Sequence, residues 1–321
     1  MADRATVPLD ATPGDGQAEA RMMRRATYAA VVVAMALIAA KLSAWLGTGS
    51  VALLSTLIDS VLDLAASGLN LLAVRHALQP ADREHRFGHG KAEPLAGLAQ
   101  SAFIAGSGLL VIGEAGHRLI NPQPVTNDLA GIGVMILSIV LTVILVGYQR
   151  RVLRRTNSLA INADALHYMG DVLMNVSVII SLLLTWWLGL SFIDPLFGIG
   201  ISVFILWNAG QIGWQSFNIL MDQELPNDQR EQIKEICRTH PSVRNVHDLR
   251  TRSAGQICFI QLHLELDGEL SLRQAHAIAD DVEARIGGAF PNAEVIIHED
   301  PAGLPEPRAE FGDETTGGVS P

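Results

Sequence analysis

The stretch TLIDSVLDLAASGLNLLAV, Thr56 to Val74, decides how the rest of the chain is read. It is long and apolar enough for a bilayer crossing, which takes roughly 20 such residues for a hydrocarbon core about 30 Å thick. Yet Asp59 and Asp63 stand near its middle. Four residues apart, they project from one face of a helix. A charged carboxylate at that depth is costly unless something compensates it, so intramembrane ionisable residues mark function by default.

The composition supports a membrane setting. The 321-residue chain is 49% hydrophobic and only 17% charged, with mean hydropathy +0.28. That is too apolar for an ordinary soluble domain and fits a membrane protein with a soluble part. The net charge is -10, acids crowd the C-terminal third, and nucleic acid is excluded as a partner on that balance. Cys237 and Cys258 form no CxxC pair and read as two ordinary partly buried thiols in a reducing compartment.

Six segments have the length of a span: Ala26–Gly47, Val51–Leu78, Pro94–Ile120, Asp128–Tyr148, Leu159–Leu188 and Ser191–Trp214. Arg21, Arg24 and Arg25 precede the first. Arg75, Arg83, Arg86 and Lys91 follow the second, and Arg150, Arg151, Arg154 and Arg155 follow the fourth. The remaining connections carry no Lys or Arg, so the positive-inside rule puts both termini in the cytoplasm. Trp186 and Trp187 fall where an aromatic belt is expected, and Lys41 reads as a snorkelling residue.

After about Ser216 the pattern becomes soluble. NDQREQIKEICRTH and SLRQAHAIADDVEARI have helical spacing, QICFIQLHLELD alternates with period two, and AEVIIHED is a short strand. With one more strand near VHDLRTR, this is a small open α+β sandwich. The expected division is therefore 1–23 disordered, 24–215 a six-helix transmembrane domain, 216–302 a cytoplasmic metal-binding domain, and 303–321 a disordered acidic tail.

The fifth segment repeats the device of the second: in ALHYMGDV, His167 and Asp171 stand at i and i+4. Asp59, Asp63, His167 and Asp171 together offer oxygen and imidazole nitrogen to one ion. That donor set suits Zn²⁺ and tolerates Fe²⁺, Cd²⁺ or Mn²⁺. Asp164 lies on the same face, nearer the cytoplasmic end, and reads as lining the entrance rather than as a ligand. The connection QPADREHRFGHGKAEP holds Asp82, His85 and His89, a spacing that fits three metal ligands or equally a solvated basic loop. His247, His263, His276, His298 and Asp300 are spread over several soluble elements. Spacing alone leaves convergence and scattered surface histidines both open. His263 does face away from Leu262 and Leu264 in its alternating strand.

The paired D-x3-D and H-x3-D, the segment QPADREHRFGHGKAEPLAGLAQS and the tail pieces VHDLRTR, FIQLHLEL, QAHAIADDVE and VIIHEDP closely resemble the cation diffusion facilitators. The similarity is to their bacterial ferrous-iron and zinc efflux branch and runs from about Arg24 to Pro301. The resemblance implies a homodimeric inner-membrane antiporter that exports divalent metal from the cytoplasm in exchange for H⁺, with a cytoplasmic domain of metallochaperone-like αββαβ fold. It implies a transport site of Asp59, Asp63, His167 and Asp171 and a loop site of Asp82, His85 and His89. It further implies a binuclear cytoplasmic site of His247, His263, His298 and Asp300 with His276, and a dimer interlock of Lys91 and Asp222. A membrane-anchored metal sensor or store is the alternative, but it has no need of ligands at bilayer depth. An intramembrane metallopeptidase would need an H-E-x-x-H spacing that the chain lacks, so no enzyme is expected.

Overall fold

The computed structural model describes residues 15–49, 51–120, 129–188 and 192–303. The chain divides into two compact units, one built on Gly14–Met221 and the other on Asp222–Ser253 and Ile257 onward. The Trp186 side chain and the segments 1–14 and 304–321, to which the expected aromatic belt and disordered ends refer in part, lie outside what is described.

Six helices make the first unit: α1 (Asp15–Thr48), α2 (Val51–Ala77), α3 (Ala92–Ile120), α4 (Leu129–Thr156), α5 (Leu159–Leu188) and α6 (Ile193–Leu220). Among the described residues, five helical stretches are long and apolar enough to cross a membrane: Gln17–Thr48, Thr56–Ala77, Ala92–Ile120, Gly131–Thr156 and Ile193–Leu220. The sixth helix, α5, is 30 residues long. Large apolar side chains such as Leu72, Leu110 and Trp207 are exposed on the bundle, as a lipid-facing surface requires.

Two boundaries correct the expectation. Helix α1 begins at Asp15, so residues 15–23 are helical rather than disordered. GQAEARMMRR is rich in strong helix formers, and Met23 anchors the turn in a buried cluster with Ala26, Val74 and Val152. Helix α4 continues beyond Tyr148 to Thr156, because Arg and Gln extend a helix out of the apolar slab at little cost.

The helix ends follow local chemistry. Gly49 takes φ +66 after α1, and its N–H donates to the Trp45 carbonyl at 2.7 Å, a left-handed helix stop. Asn157 does the same after α4 at φ 47. Ser158 then accepts the Ile161 N–H on its hydroxyl at 3.3 Å and starts α5. The buried carboxylate of Glu93, in the first turn of α3, lies beside the Ser158 hydroxyl and the Leu159 and Ala160 N–H groups. It stands at the positive end of α5. Helices α3 and α6 pack through small residues: a methyl group added at Gly97 would stand 2.7 Å from Ser216 Oγ, and one at Gly213 2.7 Å from Ser101 Oγ. Such contacts substitute for the hydrophobic effect inside a bilayer.

The second unit runs α7 (Asn227–Arg238), β1 (Asn245–Ala254), β2 (Ile257–Leu266), α8 (Leu272–Ala289) and β3 (Ala293–Pro301). This is the expected αββαβ order. The sheet order is β1-β2-β3, and β2 pairs β3 in parallel with His263 beside His298 and Glu265 beside Asp300. Gly255, at φ +64, and Gln256 form the two-residue turn between β1 and β2. Ser271 opens α8 by donating its N–H to Gln274 Oε1 at 3.0 Å. Alternation along β2 sends Ile260, Leu262, Leu264 and Leu266 into a core with Ile233, Val282 and Ile286. Each such side chain contributes roughly 1.5–3 kcal/mol by leaving water. The opposite sheet face carries His263 and Glu265.

Candidate metal centres

Among the described residues, three clusters of ligand-type side chains form, and the first lies between α2 and α5. Asp63 Oδ1 is 2.9 Å from His167 Nε2, and ligand atoms of Asp63, His167 and Asp171 all lie within 4.8 Å of one another. Asp59 stays outside this group and is exposed. The four-ligand expectation is therefore met by three residues. The i,i+4 step places Asp59 about 6 Å from Asp63 along α2, one turn farther from the cluster.

The seam continues on the other side of Asp63 as a polar ladder. Asp164, fully buried, accepts from Gln149 Nε2 at 2.6 Å and from Ser67 Oγ at 3.3 Å. Ser67 also meets the Tyr168 hydroxyl at 2.8 Å, and Asn70 Nδ2 donates to the Ala160 carbonyl at 3.1 Å. Asp164 is thus an internal acceptor rather than an entrance residue. Lys41 likewise departs from expectation. Its ammonium donates to Ser60 Oγ at 2.6 Å and the Thr56 carbonyl at 3.0 Å, on the turn of α2 that carries Asp59. Those two acceptors inside the bundle take the place of the headgroup region.

The second cluster is the α2–α3 connection. Asp82, His85 and His89 bring their ligand atoms within 4.8 Å of one another. Asp82 Oδ1 accepts the N–H groups of His85 at 2.7 Å and Glu84 at 2.9 Å, a short Asx-type turn. Those backbone donors, His85 first, hold its carboxyl below the usual range. Asp82 Oδ2 faces His89 Nε2 at 3.3 Å, and the His89 side chain is only 4% exposed. Gly88, at φ +77, makes the reversal that brings His89 back over Asp82.

The third cluster sits on the sheet face away from α8. Asp300, buried, places Oδ2 2.8 Å from His263 Nδ1 and 3.3 Å from His247 Nε2, while Oδ1 is 3.2 Å from His298 Nε2. Parallel pairing of β2 with β3 makes this possible, since register partners present their side chains to the same face. Glu265, not singled out from the sequence, lies 3.3 Å from His247 Nδ1, and Asp248 joins His247 and His263 in a further group. The period-two step from His263 to Glu265 was the signal for the former. His276 does not join the cluster. It is exposed on α8, 3.7 Å from Asp280, because α8 covers the apolar face of the sheet. Asp222 ion-pairs with Arg252 at 3.6 Å within the second unit, whereas its expected interlock partner Lys91 belongs to the first.

Both cysteines are free and buried, and burial pushes their thiols up, Cys237 to about 11 and Cys258 to about 12. Neither lies in any of the three clusters.

Comparison with known proteins agrees with this architecture. Residues 27–221 match the cation efflux transmembrane domain and 225–302 the cation efflux protein cytoplasmic domain. The cation-efflux pump FieF of Cronobacter sakazakii is 49% identical over 292 residues, 91% of this chain and 97% of that protein. FieF of Salmonella choleraesuis is 47% identical over 288 residues, covering 90% and 96%. Among solved structures, CzrB in its Zn form is 33% identical over 27% of this chain and 99% of that one, with TM-score 0.24. The metal-bound C-terminal domain of the CzcD transporter from Thermotoga maritima is 30% identical over 25% and 93%, with TM-score 0.24. With its transmembrane and cytoplasmic parts both matched, and relatives nearly half identical along almost their full length, the chain belongs to the cation efflux family of membrane transporters.

Proposed function

We propose that this transporter is a proton-coupled antiporter that exports divalent transition-metal ions from the cytoplasm, with Zn²⁺ the preferred ion and Fe²⁺, Cd²⁺ and Mn²⁺ as neighbours. The observation that carries the reading is the approach of Asp63, His167 and Asp171 on two membrane helices. Carboxylates with an imidazole match Zn²⁺ and its transition-metal neighbours better than Mg²⁺ or Ca²⁺, which favour all-oxygen shells. Asp59, one turn away, is the fourth ligand when the metal draws the group together.

Exchange follows from the chemistry of these ligands. Metal binding requires ionised carboxylates and a neutral imidazole, so protons compete for the same groups. A site open alternately to each side then releases metal where protons are abundant and reloads it where they are scarce. One Zn²⁺ leaving for one H⁺ entering moves net charge outward against about 2.3 kcal/mol per 100 mV, and a second proton removes that opposition. No covalent change is part of the cycle. The loop and sheet clusters are the further metal sites, and the assembly is a homodimer in a bacterial inner membrane with both termini cytoplasmic. Lys91 and Asp222 form its interlock. The relatives' name as efflux pumps supports the direction of transport.

The test is reconstitution in proteoliposomes with a proton gradient, comparing Zn²⁺, Fe²⁺, Cd²⁺ and Mn²⁺ while recording internal pH. Metal flux without any accompanying proton flux would overturn the antiport reading.

A further inference from the structure

We propose that His76, at the C-terminal end of α2, is a fourth ligand of the α2–α3 connection and closes the Asp82–His85–His89 group around Zn²⁺ or a neighbouring divalent transition metal. The inference rests on the reading of that connection as a metal site and adds a residue to it.

Three observations bring His76 in. Its ring meets the ring of His89 edge-on, with centroids 4.5 Å apart, while the His85 ring lies 4.6 Å from His89. Both other imidazoles thus touch His89, whose Nε2 is 3.3 Å from Asp82 Oδ2, while His76 stands outside the group whose ligand atoms lie within 4.8 Å of one another, so an ion would have to draw its ring in. Second, the His89 side chain is 4% exposed, and its Nδ1 has no hydrogen-bond partner among the described residues. A buried ring nitrogen left unmatched calls for an explanation, and an ion held beside it supplies one. Third, the backbone around His76 is closed by the bonds Leu78 N–H to Val74 carbonyl, 3.1 Å, and Gln79 N–H to His76 carbonyl, 3.0 Å. The imidazole thus hangs from a fixed point on a helix rather than from the loop, which favours a defined ligand position.

The chemistry of the set points the same way. Asp82, His85 and His89 supply three donors, and divalent zinc in a structural site takes four in a tetrahedron. Adding His76 gives three nitrogens and one carboxylate oxygen. A closed shell of that kind retains its ion, whereas three protein ligands leave a position for water and exchange. The connection would then act as a metal-stapled elbow between α2 and α3.

The experiment uses the full chain in detergent, with Asp63→Ala and His263→Ala in the background so that the other two clusters are weakened. Co²⁺ and Zn²⁺ are titrated against a chromophoric chelator for this background and for its His76→Phe, His76→Gln and His85→Ala derivatives. His76→Phe keeps a ring against His89 and removes only the nitrogens. A ligand role requires it to weaken binding at least about 10-fold, the lower range found even for residues that only support a ligand. The strong visible absorption of four-coordinate Co²⁺ should fade in parallel, and His76→Gln should behave likewise. Unchanged affinity and spectrum in His76→Phe, with loss in His85→Ala, would leave a three-residue site and overturn the proposal. Unchanged binding in both would remove the loop site itself and this inference with it.

Discussion

Replacement of Asp164 tests whether the polar ladder between α2 and α5 is held by satisfied hydrogen bonds. In the native protein its carboxylate receives Gln149 Nε2 at 2.6 Å and Ser67 Oγ at 3.3 Å, in a fully buried setting. Asp164→Ala leaves the Gln149 amide without its acceptor, while Ser67 keeps the Tyr168 hydroxyl at 2.8 Å. One orphaned buried donor costs about 1–3 kcal/mol. Asp164→Asn retains an acceptor for Gln149, and its new amide can donate to the Ser67 hydroxyl, so its cost should be near 1 kcal/mol, the loss of charge assistance alone. At about 2–4 °C per kcal/mol for a body of this size, the expected falls in melting temperature are about 2–12 °C for Ala and about 2–4 °C for Asn. The decisive arm is Asp164→Ala combined with Gln149→Leu. Removing both partners relieves the orphan, so the double variant should melt above the sum of the two single losses. Thermal unfolding in detergent, followed by circular dichroism, measures the native protein, the three single variants and the double variant. Strict additivity, or an Asn variant as damaged as the Ala variant, would refute the reasoning.

Four other outcomes are expected. Asp63→Ala should abolish Zn²⁺ flux in proteoliposomes while elution volume and helical content stay unchanged, and His167→Asp should shift preference from Zn²⁺ toward harder or larger ions, read as the ratio of initial Zn²⁺ and Cd²⁺ rates. Zn²⁺ at about 100 times its dissociation constant should stabilise the unit holding the sheet cluster by about 2.7 kcal/mol, seen as a higher unfolding midpoint that chelator and His263→Ala both remove. The buried thiols set an alkaline limit: with Cys237 and Cys258 raised from 9.0 to about 11 and about 12, the folded state favours the neutral thiol. Their stabilising contribution is complete below pH 9 and is lost as pH rises from there through about 11 and 12. Denaturation midpoints across that range measure it, and a double Cys→Ala variant should lose the dependence.

Much of this architecture was readable because ionisable residues are conspicuous in an apolar background. Asp63, His167 and Asp171 announce themselves at i,i+4 spacing, and alternation in β2 alone puts His263 on the face away from the core. The resemblance to a known family carried the sheet cluster further than spacing could, since the parallel pairing of β2 with β3 is a long-range fact. Other features had no local signal. Gln149 lies in a basic run whose helical continuation past Tyr148 was not expected, so its reach to Asp164 could not be anticipated. Lys41 satisfies a snorkelling pattern equally well whether it meets lipid headgroups or Ser60. His76 reads as an ordinary helix-end histidine until its ring is seen against His89.

Glu93 stands between two of the clusters. It follows His89 by four residues, and its carboxylate lies at the first turn of the helix that bears His167 and Asp171. Allosteric coupling between ions in the loop cluster and the intramembrane cluster would run through α3's first turn, the Glu93 clamp and α5. If an ion in the loop displaces that turn, it alters the affinity of the intramembrane site, and by linkage the second ion alters the first by the same factor. Glu93→Gln keeps the size of the clamp but weakens its grip, and it should bring that factor toward one. Equal intramembrane Zn²⁺ affinity with and without His85→Ala in the otherwise native chain would mean that the clamp transmits nothing. A finite factor would make loading of the intramembrane site depend on whether the loop holds metal.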